Sequence, residues 1–113
     1  MVGTQELIDI KEFQRLELRV VDIVAAEPIA GSERLLKLRV RLSEGEERQV
    51  VAGIARHYRP EELVGRQGIL VANLKPARIF GVESQGMLLA AVDDDRLALI
   101  TPEREMAAGS VVR

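Results

Sequence analysis

The chain has 113 residues, of which 47% are hydrophobic and 30% charged, a balance that suits one soluble domain with a single core. Its formal net charge of −2 excludes a protein covered in basic surface, although a local basic patch is enough to bind phosphate. The aromatic residues are Phe13, Tyr58 and Phe80, which leaves few platforms for a surface built on base stacking.

The first predicted elements are a short helix and a long strand. Asp9 can cap a helix over "DIKEF", because Glu12 stands at the third helical position. Residues 16–29 predict a strand, in which apolar and charged residues alternate at first. The apolar phase slips where Val20 and Val21 are adjacent. We expect a β-bulge there, as in long strands that bend around a barrel.

The next pattern predicts a hairpin, with "LLKLRVRL" as its first strand, "SEGEE" as its connection and "RQVVAGIA" as its return strand. In the first strand every second residue is Leu or Val, which is the alternation of a half-buried strand. The positions between them place three cations on the opposite face, namely Lys37, Arg39 and Arg41. A short helix follows in "RPEELVG", with Pro60 at its first position and Gly65 as its stop.

The second half of the chain predicts further strands. "QGILVANL" and "QGMLLAAV" read as buried strands, Asp93 to Asp95 as a turn, and "RLALITP" and "GSVVR" as short terminal strands. Five strands with a helix between the third and fourth are typical of the five-stranded OB-fold barrel, an all-β fold. We therefore predict a single domain over residues 1–113, with its core from about residue 10. Its N-terminal helix and C-terminal strand extension need a partner surface, and a second copy of the chain is one candidate.

Some residue types that serve in catalytic, metal-binding and nucleotide-binding sites occur in the chain, but not at the spacing that those sites require. Ser84 is not in a G-x-S-x-G elbow, and nothing in the sequence orients His57 as its base. The three aspartates from Asp93 lack the spaced ligands of a calcium loop, and no phosphate-binding glycine motif occurs. With no cysteine in the chain, thiolate metal sites and disulfides are excluded. We expect no catalytic site, no metal and no cofactor.

The basic face of the second strand has two interpretations. In an OB-fold the face of strands 2 and 3 and the loops beside it bind nucleic acid, which favours phosphate contacts by the three cations. Alternation alone equally describes solvated charge on an outward face. The acidic connection at Glu44, Glu46 and Glu47 would limit how far a basic patch extends.

The segment "ANLKPARIFGVESQGMLLAA" interrupts two buried strands with polar residues. Lys75 precedes Pro76, which restricts it to extended geometry, so Lys75 and Arg78 are expected on a constrained loop between strands 4 and 5. Neutral donors and acceptors that suit sugar hydroxyls and phosphates come from Asn73, Ser84 and Gln85.

Three residues near this segment allow alternatives. Phe80 could stack on a base, but its apolar neighbours favour a place in the core. Met87 resembles core filling, although it could also line the floor of a site. For Tyr58, in "RHYRP", the pattern does not decide between core and surface.

The strings "LLKLRVRL", "VVAGIARHYRPEELVG", "VANLKPARIFGVESQGMLLAA" and "LITPE", in this order, resemble the tRNA-binding domain family. The resemblance covers the chain from about Ile10 to Arg113. The family includes the C-terminal domain of bacterial methionyl-tRNA synthetase, free-standing structure-specific tRNA-binding proteins and EMAP-II-type cofactors, with a related secretion-chaperone-like branch. It implies an OB-fold whose extensions form a homodimer and which binds tRNA by its folded shape.

The resemblance implies RNA contacts at Asn73, Lys75, Ser84, Gln85 and Met87, supported by the basic face of strand 2. This sequence departs from the family at two places. Ala77 stands where many relatives carry a basic residue, and Arg59 where relatives often carry a capping Ser or Thr.

The resulting hypothesis is a non-catalytic homodimer that captures tRNA for aminoacylation and works with an aminoacyl-tRNA synthetase. One alternative is the C-terminal domain of a methionyl-tRNA synthetase, and another is a chaperone-like protein that holds peptides. The opening residues have no apolar segment of a signal peptide, and no apolar run approaches the ~20 residues of a membrane span. We therefore expect a cytoplasmic protein with no membrane partner.

Overall fold

A computed structural model of the chain describes residues 6–113. In chain order the elements are α1 (Ile10–Phe13), β1 (Leu18–Pro28), β2 (Leu36–Ser43), β3 (Glu46–Ala52), α2 (Pro60–Leu63), β4 (Gln67–Val71), β5 (Ala77–Ile79), β6 (Val82–Ser84), β7 (Met87–Leu88), β8 (Ala90–Asp93), β9 (Arg96–Leu99) and β10 (Val111–Val112). In this part of the chain no helix is long and apolar enough to cross a membrane.

β1 is the central strand of the main sheet, whose antiparallel order is β3-β2-β1-β4-β7. Its first half pairs with β4, where Leu18 lies opposite Val71. Its second half pairs with β2, where Glu27 lies opposite Lys37. β10 pairs with the beginning of β1, on the edge that β2 leaves open. The long strand thus passes from one part of the sheet to the other, and the sheet curls.

The curled sheet confirms the predicted OB-like, nearly all-β fold. Strands β1 to β4 and β7 follow one another in the expected order, with α2 between β3 and β4. Both predicted helices are present. In each of them the glutamate at the third helical position reaches back to the N-cap, since Glu12 accepts from the Asp9 N–H at 3.1 Å and Glu62 accepts from the Arg59 N–H at 3.0 Å. Dimerisation through the extensions stays a prediction.

The whole apolar face of β2 is buried in the core. Leu36, Leu38 and Val40 are at most 1% exposed, and each such burial stabilises the fold by roughly 1.5–3 kcal/mol. Leu63 of α2 and Leu88 of β7 belong to the same cluster of buried side chains. Burial of Leu63 therefore holds the short helix α2 to the sheet.

The predicted bulge at Val20 and Val21 is wrong. Both residues continue the regular pairing of β1 with β4, and both are buried because they point to opposite faces. Val21 belongs to the main core, whereas Val20 packs in a second cluster with Ile69 and Val71, covered by side chains that include Val112. The irregularity in β1 lies further on, where the register with β2 shifts between Ile23 and Ala25.

The string "QGMLLAAV" does not form one strand. It divides at Leu89 into β7, which pairs with β4, and β8, which forms a hairpin with β9 through the predicted turn at Asp94 and Asp95. The segment between β4 and β7 is also more ordered than a loop, because β5 and β6 form a hairpin of their own. Leu97 and Leu99 of β9 pack against the main core.

Candidate nucleic-acid interface

The basic face of β2 is paired with carboxylates. The Lys37 ammonium lies 2.9 Å from Glu27, and this hydrogen bond lowers the pKa of the Glu27 carboxyl. Glu47 of β3 lies opposite Arg41 in the register and is shared, at 3.8 Å from Arg39 and 3.7 Å from Arg41. The strand therefore presents ion pairs on an exposed face, and a phosphate that bound there would compete with two carboxylates.

The cations of the "NLKPAR" segment are placed differently. Lys75 is exposed before β5, and within residues 6–113 it has no ion pair. Arg78 is exposed on β5, where its Nη1 donates to the carbonyl oxygen of Gly81 at 2.8 Å. That bond crosses the hairpin and fixes the guanidinium beside the turn without neutralising it. Lys75 and Arg78 therefore keep their positive charge available to a phosphate.

The neutral residues predicted to contact RNA hold this segment in place. The side chain of Asn73 accepts from the Glu17 N–H at 2.8 Å and donates to the Arg15 carbonyl oxygen at 2.7 Å. It therefore binds the start of the segment to the residues before β1. An RNA contact by Asn73 stays a prediction, and it would compete with these two bonds.

Ser84 is buried and its hydroxyl is engaged within the barrel, so an RNA contact by this hydroxyl stays a prediction and would compete with those bonds. Its Oγ accepts from the Val51 N–H at 2.9 Å and donates to the Gly86 carbonyl oxygen at 3.2 Å. With one N–H and one carbonyl engaged, the hydroxyl satisfies backbone groups that burial would otherwise leave unpaired. Ser84 is thus a positioning residue of the barrel.

β3 supports this segment through two residues to which the sequence pattern gave no such role. Gln49 bonds Gln85 and also donates from Nε2 to the Glu83 carbonyl oxygen at 2.8 Å. Arg48 donates to the Ala72 carbonyl oxygen at 2.5 Å. The two residues are consecutive on β3 and point to opposite faces of the strand, and both are half-buried. Their partners are more than twenty residues away, so no local pattern indicates these contacts. The contact that Gln85 itself makes with RNA stays a prediction.

The core interpretation of two apolar residues is wrong. Phe80 is 57% exposed at the tip of the β5–β6 hairpin, and Met87 is 48% exposed on β7. Both therefore remain available to line a binding surface. Tyr58 belongs to the core margin, where its hydroxyl accepts from the Leu99 N–H at 3.1 Å and its ring packs against the main cluster.

Phe80 lies at an open cleft of about 510 Å³ between the β1–β2 connection and the β5–β6 hairpin. Its wall includes exposed cations at Arg34 and Arg56, which have no ion pair in the described chain. These cations are distant in sequence, and neither lies in a repeating pattern. The sequence pattern indicated neither cation. The rule that the loops joining strands 1–2 and 4–5 of an OB-fold bind oligonucleotides could have indicated Arg34, whereas Arg56 lies between β3 and α2, outside those loops.

A second surface is apolar. An open cleft of about 380 Å³ lies where β10 covers β1, and its lining includes the partly exposed Ile100, Met106 and Val111. Val20 and Ile69 form its floor, so this cleft continues the second hydrophobic cluster to the surface. The two surfaces differ in chemistry, with cations at one and aliphatic side chains at the other.

Residues 18–111, which include the barrel and both surfaces, match the model of the family described as "Putative tRNA binding domain". The chain belongs to this family. Membership confirms the resemblance found in the sequence, and the OB-like fold agrees with it.

Relatives of this tRNA-binding domain include methionine–tRNA ligases. The ligase of Clostridium tetani is 51% identical over 111 residues, which are 96% of this chain and 17% of that protein. The ligase of Methanococcus aeolicus is 52% identical over 107 residues, which are 95% of this chain and 16% of that protein. The chain thus spans about a sixth of the length of these relatives.

Solved structures share the fold. The MetRS related protein from Pyrococcus horikoshii has a TM-score of 0.90 and 42% identity, covering 96% of this chain and all of that one. The chaperone CsaA from Bacillus anthracis has a TM-score of 0.88 and 26% identity, with the same coverage of both chains. The tRNA-binding domain therefore resembles both a synthetase-related protein and a protein named as a chaperone.

Proposed function

We propose that this chain is a non-catalytic module that binds folded tRNA by its shape and acts as a homodimer that captures tRNA for aminoacylation. The carrying observation is the position of Lys75 directly before β5 and of Arg78 on β5, within a chain of the tRNA-binding domain family. Asn73, Ser84 and Gln85 fix this segment to the barrel. Held cations recognise the spacing of phosphates in a folded backbone better than mobile ones do, because less freedom is lost on binding.

The proposed contacts divide into two groups. Lys75 and Arg78 contact phosphates directly. The β2 cations Lys37, Arg39 and Arg41 contribute after they leave Glu27 and Glu47. Met87, exposed beside the same segment, lines the surface. This division assigns most of the affinity to the hairpin segment and makes the β2 face a weaker supplement, because its cations must first leave their carboxylates.

The homodimer is proposed on the apolar cleft beside β10. Ile100, Met106 and Val111 are each 40–59% exposed there, and they continue a buried cluster. A second copy would cover these side chains from water and would present two basic hairpins to one tRNA. Val111→Asp should give a monomer in analytical ultracentrifugation, whereas Val64→Asp, at an exposed valine outside that cleft, should leave the dimer intact.

The tRNA proposal is tested by affinity and its dependence on salt. A variant in which one cation no longer reaches its phosphate should show a slope of log K against log salt that is smaller by roughly 0.7–0.9. We expect Arg78→Ala to weaken tRNA binding and to reduce that slope, while Arg104→Ala, an exposed cation of the C-terminal segment, changes neither by a comparable amount. Equal affinity for folded and heat-denatured tRNA would disprove recognition of shape.

A second candidate is the appended domain of a methionine–tRNA ligase, favoured by the 51–52% identity to such enzymes over 16–17% of their length. The catalytic part would then lie outside these residues. Addition of this chain to a ligase that lacks such a domain should lower the KM for tRNA without changing the KM for methionine. In either case we propose that the module works in the cytoplasm, where aminoacylation takes place.

A peptide-holding chaperone is the third candidate, favoured by the likeness to CsaA. An unfolded peptide would bind apolar surface, and the apolar cleft at β10 is the one assigned above to the second copy. Competition distinguishes the two. If an unfolded peptide displaces tRNA and dissociates the dimer, the chaperone interpretation replaces the one proposed here.

A further inference from the structure

We propose that Phe80 is a stacking platform for one unpaired base of the bound RNA, with Arg34 and Arg56 holding the phosphates that flank that nucleotide. The inference rests on the proposed function and narrows it, because it names the part of a folded RNA that the chain grips. Shape recognition alone requires only phosphate contacts. A stacking platform requires a nucleotide that is not paired.

The first observation is the backbone at the hairpin tip. Ile79 and Val82 are paired, and the two residues between them both have positive φ, 56° at Phe80 and 80° at Gly81. Such a two-residue connection is a type I′ turn, in which both central positions favour Asn, Asp or Gly. Gly81 fits that preference and Phe80 violates it. A bulky aromatic residue is strained at positive φ, so the local sequence is not the one that best stabilises this turn.

The other hairpin of the molecule provides an internal comparison. Asp94, in the turn between β8 and β9, has a φ of 54°, close to that of Phe80. An aspartate tolerates this conformation well, because its short polar side chain bonds local backbone groups. The chain therefore places a suitable residue in one turn and an unsuitable one in the other. Strain of this kind concentrates at functional sites.

The second observation is that burial does not explain the aromatic ring. Phe80 is 57% exposed, and it does not belong to either hydrophobic cluster. One edge of the ring lies close to Gly31 of the β1–β2 connection, since a Cβ at Gly31 would lie 3.3 Å from Phe80 Cε2. The contact orients the ring and leaves more than half of the side chain open. An exposed aromatic ring that rests along one edge on a neighbouring connection is suited to stacking.

The third observation is the charge around the ring. The cleft of about 510 Å³ that Phe80 lines also exposes Arg34 and Arg56, and its size is within the range of single-ligand pockets. Glu33 lines the cleft as well, and its carboxylate would repel a phosphate from its own side. The cleft therefore combines a flat apolar ring with cations on part of its rim. That combination matches a nucleotide, whose base is flat and apolar on its faces and whose phosphate is anionic.

The structure of RNA limits which base could bind. Bases inside a duplex are stacked on their neighbours, whereas bases in loops, bulges and ends are free to stack on a protein ring. Phe80 stands at the tip of a two-residue turn and so projects far enough to reach a base in a loop. The predicted occupant is one unpaired base of a loop.

The test uses RNA stem-loops that carry 2-aminopurine either in the loop or in the stem. Binding of the wild-type chain should quench the loop probe and leave the stem probe unchanged. Phe80→Asn should abolish the quenching and weaken binding of loop-containing RNA by about tenfold, within the range for loss of one stacked base. Its affinity for a blunt duplex, and the salt slope for the stem-loop, should not change because stacking is not ionic.

Phe80→Asn also separates function from folding. Asn suits the turn, so the variant should melt at a higher temperature than the wild type while it binds RNA less tightly. Phe80→Trp should retain both the quenching and the affinity. Arg34→Ala and Arg56→Ala should each reduce the salt slope, with the loop probe still partly quenched.

The outcomes distinguish this inference from the proposed function. If the wild type binds tRNA and Arg78→Ala weakens it, but Phe80→Asn binds the stem-loop as tightly as the wild type, only the stacking platform is disproved. If the wild type binds neither tRNA nor the stem-loops, the proposed function and this inference both fall.

Discussion

Gln85 and Gln49 are joined by two hydrogen bonds across the gap between the hairpin segment and β3. The Gln85 N–H donates to the Gln49 carbonyl oxygen at 2.8 Å, and the Gln49 N–H donates to Gln85 Oε1 at 3.1 Å. Ser84 adds a third bond nearby, to the Val51 N–H. These bonds join Ser84, the last residue of β6, and Gln85, which precedes β7, to β3 without a regular ladder. The polar string "ESQG" therefore closes the barrel through its hydrogen bonds to β3.

Ser84→Ala should destabilise the fold and leave the RNA surface intact. The change leaves the buried Val51 N–H without its partner, which costs about 1–3 kcal/mol. Urea unfolding measures the loss. Ser43→Ala is the matched control, because the hydroxyl of Ser43 is exposed and makes one long bond of 3.5 Å. A Ser84→Ala variant of normal stability that bound tRNA poorly would show that Ser84 is a direct contact.

Glu47→Gln should strengthen tRNA binding. Its carboxylate is shared by Arg39 and Arg41, so its removal frees two cations for phosphates. Exposed pairs are worth up to about 1 kcal/mol, so the expected gain in affinity is at most about fivefold. Fluorescence anisotropy at several salt concentrations measures it. Glu44→Gln changes the net charge equally at a residue with no ion pair in the described chain. Equal gains in both variants would show an effect of net charge alone.

The sequence predicted the parts of the fold that depend on alternation and turn chemistry. β2 follows its Leu and Val residues, and both short helices follow their glutamate at the third position. These features are local, so a window of a few residues contains the cause. The order of strands then sufficed to identify the barrel.

The errors arose where distant residues decide. Val21 is buried in the main core, and Val20 is buried on the opposite face because Phe13, Leu89 and Val112 pack against its cluster. Two of these residues lie some seventy to ninety positions further along the chain. Alternation of apolar and polar residues predicts a strand with one buried face, and it does not indicate that distant side chains bury the other face. Phe80 is exposed because a turn with positive φ holds it out, although its apolar neighbours favour the core.

The sequence indicated only part of the candidate site, because some of its residues are brought together from distant parts of the chain. Lys75 and Arg78 were predicted because Pro76 constrains the backbone locally. The partners that fix their hairpin, Arg48 and Gln49, come from β3. The cations of the cleft, Arg34 and Arg56, come from two different connections between elements. Hydroxyl and amide side chains suit RNA and buried backbone equally well, so their type alone could not assign Ser84.

Arg59→Thr should raise stability slightly at neutral pH. A threonine hydroxyl caps α2 for about 1 kcal/mol, while the lost pair with Glu62 is exposed and worth less. Bonds from the Arg59 N–H and then its side chain lower the pKa of Glu62 below 4.5. A lowered pKa stabilises the folded state above about pH 4.5, and the effect is lost as pH falls. The variant keeps only the bond from the N–H of residue 59 to Glu62, so it should lose less stability as the pH falls. Thermal unfolding between pH 3 and 7 measures both effects.

Gly109→Ala should detach the C-terminal strand from β1. The Gly109 N–H donates to the Val20 carbonyl oxygen at 2.7 Å, and its φ is +91°. A Cβ there would lie 2.5 Å from the Leu42 carbonyl oxygen, so the backbone must move away. Overpacking of this kind costs about 1–3 kcal/mol beyond the strain of positive φ.

Gly45→Ala is the control for that strain, because Gly45 has a φ of +83° and open space around its Cβ position. The difference between the two variants in urea unfolding therefore isolates the collision at Leu42. Gly109→Ala should also speed hydrogen exchange of the Val20 N–H, which donates to the Ser110 carbonyl oxygen. Because the same segment covers Val20 and Ile69, the proposed dimer should weaken with it, whereas Gly45→Ala should dimerise normally. Equal losses of stability in both variants would mean that the C-terminal segment yields without cost, and the dimer could not then depend on its position.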